Sequence, residues 1–303
     1  MRNRLLALTP NVLEQENLSN HTTLKIGGPC DYLIIPDTVE ELINVVSFAK
    51  EQGIRLTVLG NGSNVLVDDS GIDGIVLKTT NLKTITVEGN TITAGTGVRL
   101  STLCETALQN GLNGLCELSG VPGTVGGGVY MNAGAYGGEI KDTLTTTRYL
   151  SETFEVKTLT NEEHEFSYRK SVFQKHPEWI ILESTFTLTP GNREEMKKKT
   201  VELLKKRNDA QPLEYPNAGS TFKRPEGYFA GKLIDDCKLR GCQIGGAQVS
   251  EKHCGFLVNK GGAASKDVVK LIQHIRNTVE DAFGVTLEAE IRYYKRGEDS
   301  VRL

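Results

Sequence analysis

The stretch SGVPGTVGGGVYMNAGAYGGE, Ser119–Glu139, carries eight glycines and ends in its only charged residue. Glycine frees the backbone of Cβ atoms, so that neighbouring N–H groups can converge on a phosphate group. The stretch LGNGSNVLV, Leu59–Val67, adds asparagine and serine donors to a second glycine-bearing loop. One such loop is typical of a tight turn. Two of them favour a bound dinucleotide or another large phosphate-bearing ligand.

The familiar nucleotide-binding motifs do not explain these loops. The dinucleotide fingerprint GxGxxG directly follows the first strand of a βαβ unit. In this sequence the glycines follow the second strand of the predicted N-terminal β-α-β unit. A dinucleotide-binding fold with this fingerprint is therefore a weak interpretation. Neither loop matches GxxxxGK[ST], which disfavours a nucleoside triphosphatase, and the GxSxG elbow is missing too.

Hydrophobic periodicity predicts an α+β fold. A helix is expected after Thr38, which forms a capping box with Glu41, and Gly53 ends it. Further helices are predicted over 99–110, 192–209 and from Ser265 to Gly284, with β runs between 74 and 96 and between 143 and 190. The expected buried faces are Leu42, Val45, Val46 and Ala49 in the first helix, Val268, Ile272, Ile275, Val279 and Phe283 in the last, and Leu287, Ala289, Ile291 and Tyr293 in a final strand.

Bulk composition narrows the class of protein. The chain has 303 residues, 38% of them hydrophobic, and a formal net charge of -3. We therefore expect neither nucleic acid nor a membrane as partner. The N-terminal apolar stretch is too short for a signal peptide, so a cytoplasmic protein is expected. The six cysteines show no CxxC spacing and are expected to be free thiols. The basic run in the charged helix predicts a solvated face.

Seven segments in the same order resemble the UDP-N-acetylenolpyruvoylglucosamine reductase (MurB) family. They are TTLKIGGP, LGNGSNVLV, SGVPGTVGGGVYMNAGAYGGE, FSYRKSVF, NAGSTFKRPEG, IGGAQVSEKHCGFLVN and LEAEIRYY, between His21 and Tyr294. The resemblance implies an FAD-binding fold of the vanillyl-alcohol-oxidase type with two subdomains, joined to a C-terminal α+β substrate-binding domain. The implied division is 1–78 with 289–303, then 79–208, then 209–288.

The resemblance also implies a reaction. NADPH reduces FAD, and the flavin passes a hydride to the enolpyruvyl group of UDP-N-acetylglucosamine enolpyruvate, which yields UDP-N-acetylmuramate for peptidoglycan. The family's catalytic positions match Arg169, Ser220 and Glu290. Ser220 is the implied proton donor, and Arg169 suits a carboxylate because guanidinium binds carboxylates bidentately. Glu290 is expected beside the enolate, as an acid or through a shared proton. In isolation each of the three is an ordinary surface or capping residue.

The implied FAD contacts lie in the two glycine-bearing loops. They are Gly60, Asn61, Gly62, Ser63, Asn64, Ser119, Gly120, Val121, Gly123, Thr124, Gly126, Gly127, Ala133 and Gly134. The first loop has neither histidine nor cysteine, so FAD is expected to be non-covalent. The expected substrate contacts are Lys223 and Arg224 at the UDP diphosphate, with Lys232, Gln248 and Asn259 as further candidates. For Lys223 and Arg224 a solvent-facing basic pair is the alternative interpretation.

Two departures from the family pattern stand out. Lys25 stands where many relatives carry arginine. The region between Ser167 and Gln211 is short and lacks the substrate-covering loop of larger members, so the chain resembles the shorter, second type, which has Arg224 where the longer type tends to have asparagine. We expect a monomer.

Two other functions stay open at this point. One is an FAD-dependent oxidase or dehydrogenase of a small alcohol or 2-hydroxy acid on the same fold. That chemistry needs a base rather than the acid that Ser220 and Glu290 suggest. The other is a non-catalytic nucleotide-binding regulator, which a flavin absorbance spectrum would distinguish.

Overall fold

The computed structural model describes residues 1–298 and 301–303, so residues 299 and 300 of the predicted 289–303 segment lie outside the described residues. The α-helices are α1 (Arg2–Leu6), α2 (Val39–Glu51), α3 (Leu100–Gln109), α4 (Val125–Tyr130), α5 (Arg193–Ala210), α6 (Ala230–Asp236) and α7 (Ser265–Phe283). The 3₁₀ helices are Leu18–His21, Cys116–Leu118, Ile140–Asp142, Glu162–His164 and Val172–Gln174.

In the part of the chain that the structure describes, twenty strands accompany these helices. They are β1 (Val12–Glu14), β2 (Cys30–Ile34), β3 (Leu56–Leu59), β4 (Val65–Val67), β5 (Ile72–Lys78), β6 (Ile85–Glu88), β7 (Thr91–Gly95), β8 (Leu112–Asn113), β9 (Gly134–Ala135), β10 (Gly138–Glu139), β11 (Leu144–Leu150), β12 (Val156–Thr160), β13 (Ile180–Thr187), β14 (Thr189–Pro190), β15 (Asn217–Ser220), β16 (Gln243–Ile244), β17 (Ala247–Val249), β18 (Phe256–Asn259), β19 (Arg292–Tyr294) and β20 (Val301–Arg302).

The chain divides into two compact units. Unit 1 contains Met1–Leu13, Leu33–Asn61 and Ile75–Arg207, and unit 2 contains Glu14–Tyr32, Gly62–Gly74 and Asn208–Leu303. Each unit is thus assembled from three separate pieces of sequence.

Unit 1 is built on a five-stranded antiparallel sheet in the order β12-β11-β13-β7-β6. Its strands are rich in threonine, isoleucine and other residues that suit a pleated surface. The apolar faces of α3 and α4 join this sheet in one buried cluster with Phe173 and Phe186. Elsewhere in the unit β3 pairs with β5 in parallel. The predicted β runs between 74 and 96 and between 143 and 190 are confirmed, with β11 beginning at Leu144.

Unit 2 is built on a four-stranded antiparallel sheet in the order β15-β18-β17-β16. Its core joins α6 and the apolar stripe of α7, including Val268, Ile272, Ile275 and Val279, to Leu24 from the N-terminal part of the chain. Gly284 ends α7 with φ 66°, a left-handed conformation that glycine adopts without strain. The β4 and β19 strands pair in parallel.

Sequence periodicity located the long helices but missed some details. Thr38 caps α2 by accepting from the Glu41 amide, whereas the Glu41 carboxylate accepts from the amide of Asp37, so the predicted reciprocal box is only half formed. Val46 is only half-buried, and Phe48 takes its place on the inner face. The prediction for Phe283 was wrong, because its side chain is 41% exposed.

The last predicted strand is shorter than expected. Leu287, Ala289 and Ile291 are buried in alternation as predicted, but Tyr293 is only half-buried and regular pairing begins at Arg292. The stretch 119–139 also differs from a plain loop, because its centre forms the six-residue helix α4.

Candidate functional site

The two glycine-bearing loops meet inside unit 1. A Cβ atom built on Gly60 would lie only 2.6 Å from the Thr124 hydroxyl oxygen. Gly60 belongs to the first loop and Thr124 to the second, so the missing side chain lets the loops approach each other. Thr124 is fully buried and caps α4 by accepting from the Gly127 amide.

Most glycines of the second loop are explained by protein packing. A Cβ on Gly126 would lie 2.0 Å from the Thr96 hydroxyl oxygen, and one on Gly128 would lie 3.2 Å from Leu100. Gly134 faces Glu139 in the β9–β10 hairpin. These positions need glycine whether or not a ligand is present.

Gly127 differs from these glycines, because protein packing does not explain it. Its surroundings therefore show whether a cofactor could approach the backbone there. It lies in the first turn of α4, is exposed, and a Cβ there would meet only the Thr124 hydroxyl oxygen, at 3.6 Å. The surface beside it is therefore bare backbone at a helix start, with no charged side chain in α4. Such a surface fits a group that approaches the main chain closely, as the phosphates and ring system of FAD do.

The remaining FAD candidates divide between the units. In unit 1, Ser119 donates to the Cys116 carbonyl oxygen at 2.7 Å, and the Ala133 amide donates to the Gly128 carbonyl oxygen at 2.8 Å. In unit 2, Gly62 has φ 66°, and a Cβ there would lie 2.2 Å from the His21 carbonyl oxygen. The Asn64 side chain donates to the Glu290 carbonyl oxygen at 3.2 Å. Asn61, Ser63, Val121 and Gly123 lie in the same two loops.

Arg169 is anchored to the second loop. Its Nη2 atom donates to the Gly134 carbonyl oxygen at 3.0 Å, and its guanidinium lies over the Tyr168 ring, 5.0 Å from the ring centroid. The backbone at Arg169 has φ 56°, and Gln174 fixes its carbonyl oxygen through a 3.0 Å hydrogen bond. A non-glycine residue in this conformation is held there by its surroundings. Arg169 is thus a half-buried, positioned cation of unit 1.

Ser220 and Glu290 lie on neighbouring backbone segments of unit 2. Ser220 ends β15 and is exposed. The next residue, the buried Thr221, accepts the Glu290 amide at 2.8 Å, and Phe222 pairs with Ala289. These bonds bring together two segments that lie some 70 positions apart in the sequence.

The predicted substrate residues have unequal surroundings. Lys223 is buried, with its Nζ 2.6 Å from Glu288 Oε1, whereas Arg224 is exposed and stacks on the Phe229 ring at 3.9 Å. Lys232 is exposed and pairs with Asp236. The description of a solvent-facing basic pair therefore fits Arg224 but not Lys223.

Gln248 and Asn259 are buried amides. Gln248 donates to the Gly241 carbonyl oxygen at 3.3 Å and lines a cavity of about 370 Å³ with Tyr215 and Lys260. Asn259 donates to the Leu24 carbonyl oxygen at 3.1 Å and accepts from the amides of Gly261 and Ala263. The bonds of Asn259 hold the backbone of unit 2.

One charged residue was missed by the sequence analysis. Arg207 belongs to the basic run interpreted as a solvated face, yet it is only 9% exposed. Lys205 and Lys206, which precede it, are exposed as predicted, so the local sequence gives no sign that Arg207 is buried. Its burial is visible only in the tertiary structure. Among the residues that the structure describes, no group of three or more histidine, cysteine or carboxylate side chains could hold a metal ion.

Comparison with known families first defines the class of protein. Residues 30–160 match the FAD binding domain model, which contains both glycine-bearing loops. Residues 211–294, which contain Ser220 and Glu290, match the model described as UDP-N-acetylenolpyruvoylglucosamine reductase, C-terminal domain. The chain is therefore a two-part flavoprotein, and the predicted α+β FAD-binding fold with a C-terminal α+β domain is confirmed.

Similar proteins then define the particular family. UDP-N-acetylenolpyruvoylglucosamine reductase of Lachnoclostridium phytofermentans is 48% identical over 94% of this chain and 93% of the relative. That of Caldanaerobacter subterraneus is 48% identical over 91% of each. The crystal structure of the Thermus caldophilus enzyme superimposes with a TM-score of 0.79 at 34% identity, covering 94% of this chain and 98% of that one. This chain belongs to the UDP-N-acetylenolpyruvoylglucosamine reductase family.

Proposed function

We propose that this protein reduces UDP-N-acetylglucosamine enolpyruvate to UDP-N-acetylmuramate with NADPH, in peptidoglycan precursor synthesis. Family membership supports the reaction. The pairing of Thr221 with Glu290 in unit 2 is the observation that carries the assignment of residues. We keep as part of the proposal the division into FAD-binding subdomains 1–78 with 289–303 and 79–208, and a substrate-binding domain 209–288.

The chemistry requires a proton and a stabilised negative charge. FAD, when bound, supplies the hydride that it has received from NADPH. Once the β-carbon of the enolpyruvyl group has received that hydride, negative charge develops on the α-carbon and its carboxylate. We assign to Ser220 the transfer of its hydroxyl proton to the α-carbon. A serine hydroxyl is a weak acid, but an enolate carbon is basic enough to take its proton at hydrogen-bond distance.

Glu290 and Arg169 are assigned to the negative charge. The guanidinium of Arg169 presents parallel donors to a carboxylate. Its anchoring on Gly134 supports this role, because a fixed donor does not have to be reorganised when charge develops. Glu290 is assigned to the enolate, as an acid or through a shared proton.

The charged side chains of unit 2 are assigned to the UDP diphosphate. The exposed side chain of Arg224 lies over the Phe229 ring, and we assign its guanidinium to a phosphate oxygen. Lys223 would exchange its contact with Glu288 for a phosphate oxygen. Lys232, Gln248 and Asn259 remain further candidates for the rest of the substrate.

The test is a comparison of the two half-reactions by stopped-flow absorbance at the flavin bands. Ser220→Ala is expected to leave flavin reduction by NADPH near the wild-type rate and to slow reoxidation by the enolpyruvyl substrate by about 10²-fold or more. Ser101→Ala, an exposed serine of α3, is the matched control. Equal slowing of both half-reactions by Ser220→Ala would show that Ser220 is not the proton donor.

A further inference from the structure

Asn132 is a fully buried amide of the second glycine-bearing loop. Its Nδ2 atom donates to Glu139 Oε2 at 3.0 Å and to the Ser167 carbonyl oxygen at 3.1 Å. Its Oδ1 atom accepts a hydrogen bond from the Lys141 amide at 3.1 Å. Because a backbone amide can only donate, the contact with Lys141 fixes which end of the Asn132 side chain is the oxygen. One buried side chain therefore joins the end of the glycine-rich stretch to the segment around Ser167.

The segment that Asn132 contacts is the turn that carries Arg169. The Ser167 amide donates to the Lys170 carbonyl oxygen at 3.3 Å, and the Lys170 amide donates to the Ser167 carbonyl oxygen at 3.1 Å, which closes a tight turn. Arg169 is the third residue of this turn and has φ 56°. A residue with a side chain keeps this conformation only where its surroundings hold it. The Ser167 carbonyl oxygen, which accepts from both Lys170 and Asn132, is part of what holds it.

The guanidinium of Arg169 is held by the same loop. Its Nη2 atom donates to the carbonyl oxygen of Gly134, two positions after Asn132. Asn132 has φ 42°, a left-handed conformation that asparagine tolerates better than most residues. Gln174 ties the same turn to the end of α4, because its Nε2 atom donates to the carbonyl oxygens of Arg169 and Tyr130, both at 3.0 Å. The turn and the anchor of the guanidinium are thus fixed relative to each other chiefly through Asn132.

We propose that Asn132 is a positioning residue for Arg169. Its amide holds the turn 167–170 at a set distance from the Gly134 carbonyl oxygen, so that the guanidinium meets the substrate carboxylate without rearrangement when negative charge develops. Asn132 is buried and acts through Arg169 rather than on the substrate. The inference rests on the role proposed above for Arg169.

The experiment removes the amide with the least disturbance of the backbone. Asn132→Gly suits this purpose, because glycine adopts φ 42° without strain. Asn161→Ala is the matched control: Asn161 Nδ2 also donates to two carbonyl oxygens of unit 1, but these belong to Lys141 and Leu144 instead of the turn 167–170. Its φ of -55° suits alanine.

Stopped-flow absorbance at the flavin bands is the measurement. With saturating enolpyruvyl substrate, flavin reoxidation is expected to slow about 10- to 100-fold in Asn132→Gly, since a displaced guanidinium stabilises the developing charge less well. FAD content and flavin reduction by NADPH are expected to stay near wild type. Asn161→Ala is expected to match wild type in both half-reactions.

A double-mutant cycle separates a positioning role from a general loss of stability. If Asn132 acts through Arg169, adding Asn132→Gly to Arg169→Ala slows reoxidation by no more than about 2-fold further. If instead the two substitutions multiply in full, Asn132 acts independently of Arg169 and the inference is overturned. A lowered melting temperature does not reproduce this coupling, because it does not depend on Arg169.

The single variants keep the inference and the proposed function apart. Wild-type reoxidation in Asn132→Gly, with slow reoxidation in Arg169→Ala, overturns the inference and leaves the proposed function intact. Wild-type reoxidation in Arg169→Ala refutes both. If Asn132→Gly is not recovered folded, Asn132→Asp replaces it, because an ionised carboxylate keeps the bond from the Lys141 amide but cannot donate to Ser167. The same slowing and the same dependence on Arg169 are expected, and an unchanged rate would again overturn the inference.

Discussion

The amide of Glu290 donates a hydrogen bond to the carbonyl oxygen of Thr221, with 2.8 Å between nitrogen and oxygen. Ser220 therefore precedes the very residue that Glu290 pairs with. Asn64 adds a second bond, to the Glu290 carbonyl oxygen. The backbone on both sides of Glu290 is fixed, so the position of its carboxylate depends mainly on side-chain rotation.

This fixed backbone gives a prediction for Glu290→Gln. The substitution keeps the size of the side chain and removes its acid, so FAD loading and flavin reduction by NADPH should stay near wild type. Reoxidation by the enolpyruvyl substrate should slow by about 10²-fold, which single-turnover stopped-flow records directly. Glu226→Gln, an exposed carboxylate of the same unit, serves as control. Normal reoxidation in Glu290→Gln would remove Glu290 from the reaction.

Arg169→Ala should remove an anchored cation from the developing negative charge. The expected loss in kcat/KM for the enolpyruvyl substrate is about 10²- to 10³-fold, or about 3–4 kcal/mol of transition-state stabilisation. Arg169→Lys should recover only part of it, since lysine lacks the planar fork. The control is Arg148→Ala, whose exposed guanidinium pairs with Glu183. Steady-state rates equal to wild type in Arg169→Ala would refute the assignment.

Gly127 and its neighbour Gly126 should respond differently to alanine. A methyl group on Gly126 meets the Thr96 hydroxyl oxygen at 2.0 Å, so Gly126→Ala should lower stability by roughly 1–3 kcal/mol. Gly126→Val should be worse and should also expel FAD. Gly127→Ala has room for its methyl group and gains helix propensity, so the apoprotein should keep its melting temperature.

The FAD content of purified Gly127→Ala decides what this glycine is for. A methyl group on bare backbone should obstruct a closely bound cofactor, so the ratio of flavin to protein absorbance should fall well below one cofactor per chain. Stoichiometric flavin in a normally stable Gly127→Ala protein would mean that the cofactor lies elsewhere.

His164 gives unit 1 a pH-dependent stability. It is fully buried, with Nδ1 2.6 Å from the Thr160 carbonyl oxygen and Nε2 2.9 Å from the Thr147 hydroxyl oxygen. Desolvation lowers the pKa of His164 below its ordinary value. The unfolded chain therefore takes up a proton near pH 6.5 that the folded chain resists. The stabilising contribution is complete above that pH and is lost as pH falls below it.

Urea unfolding at a series of pH values between 5 and 7.5 tests this contribution. The free energy of unfolding should fall toward pH 5 in wild type and vary less in His164→Gln, which is itself destabilised by about 1–3 kcal/mol at pH 7.5. His274→Gln, at an exposed position of α7, should keep the wild-type slope. Equal slopes in wild type and His164→Gln would contradict the prediction.

Local sequence patterns predicted the helices and strands better than they predicted the arrangement of the candidate functional site. The α2 and α7 helices follow from apolar periodicity and from ends marked by Thr38 and Gly284, and the charged segment 192–209 indicated α5. The helix α4 could not be predicted in this way, because three consecutive glycines have low helix propensity. Tertiary contacts of Gly126 and Gly128 override that propensity.

Local sequence also could not predict how the residues of the candidate site are arranged, because tertiary contacts decide their surroundings. Nothing in the local sequence around Ser220 or Glu290 says that the two segments pair, and only resemblance to a family related them in advance. Arg207 is surrounded by solvent-exposed lysines, so no local signal marks it as buried. The glycines of 119–139 signalled close approach correctly, but for most of them the approaching group is Thr96, Leu100 or Arg207.

The assembly of unit 2 from three pieces has a consequence for biosynthesis. Leu24, Ile26 and Leu66 share one hydrophobic cluster with residues of α6 and α7, and the Asn259 side chain bonds the Leu24 carbonyl oxygen. A ribosome adding about 5–20 residues per second completes α7 on the order of 10–50 s after Leu24. During that interval the early apolar segments have no native partner, so a nascent chain stalled before α7 should be a preferred client of chaperones and proteases.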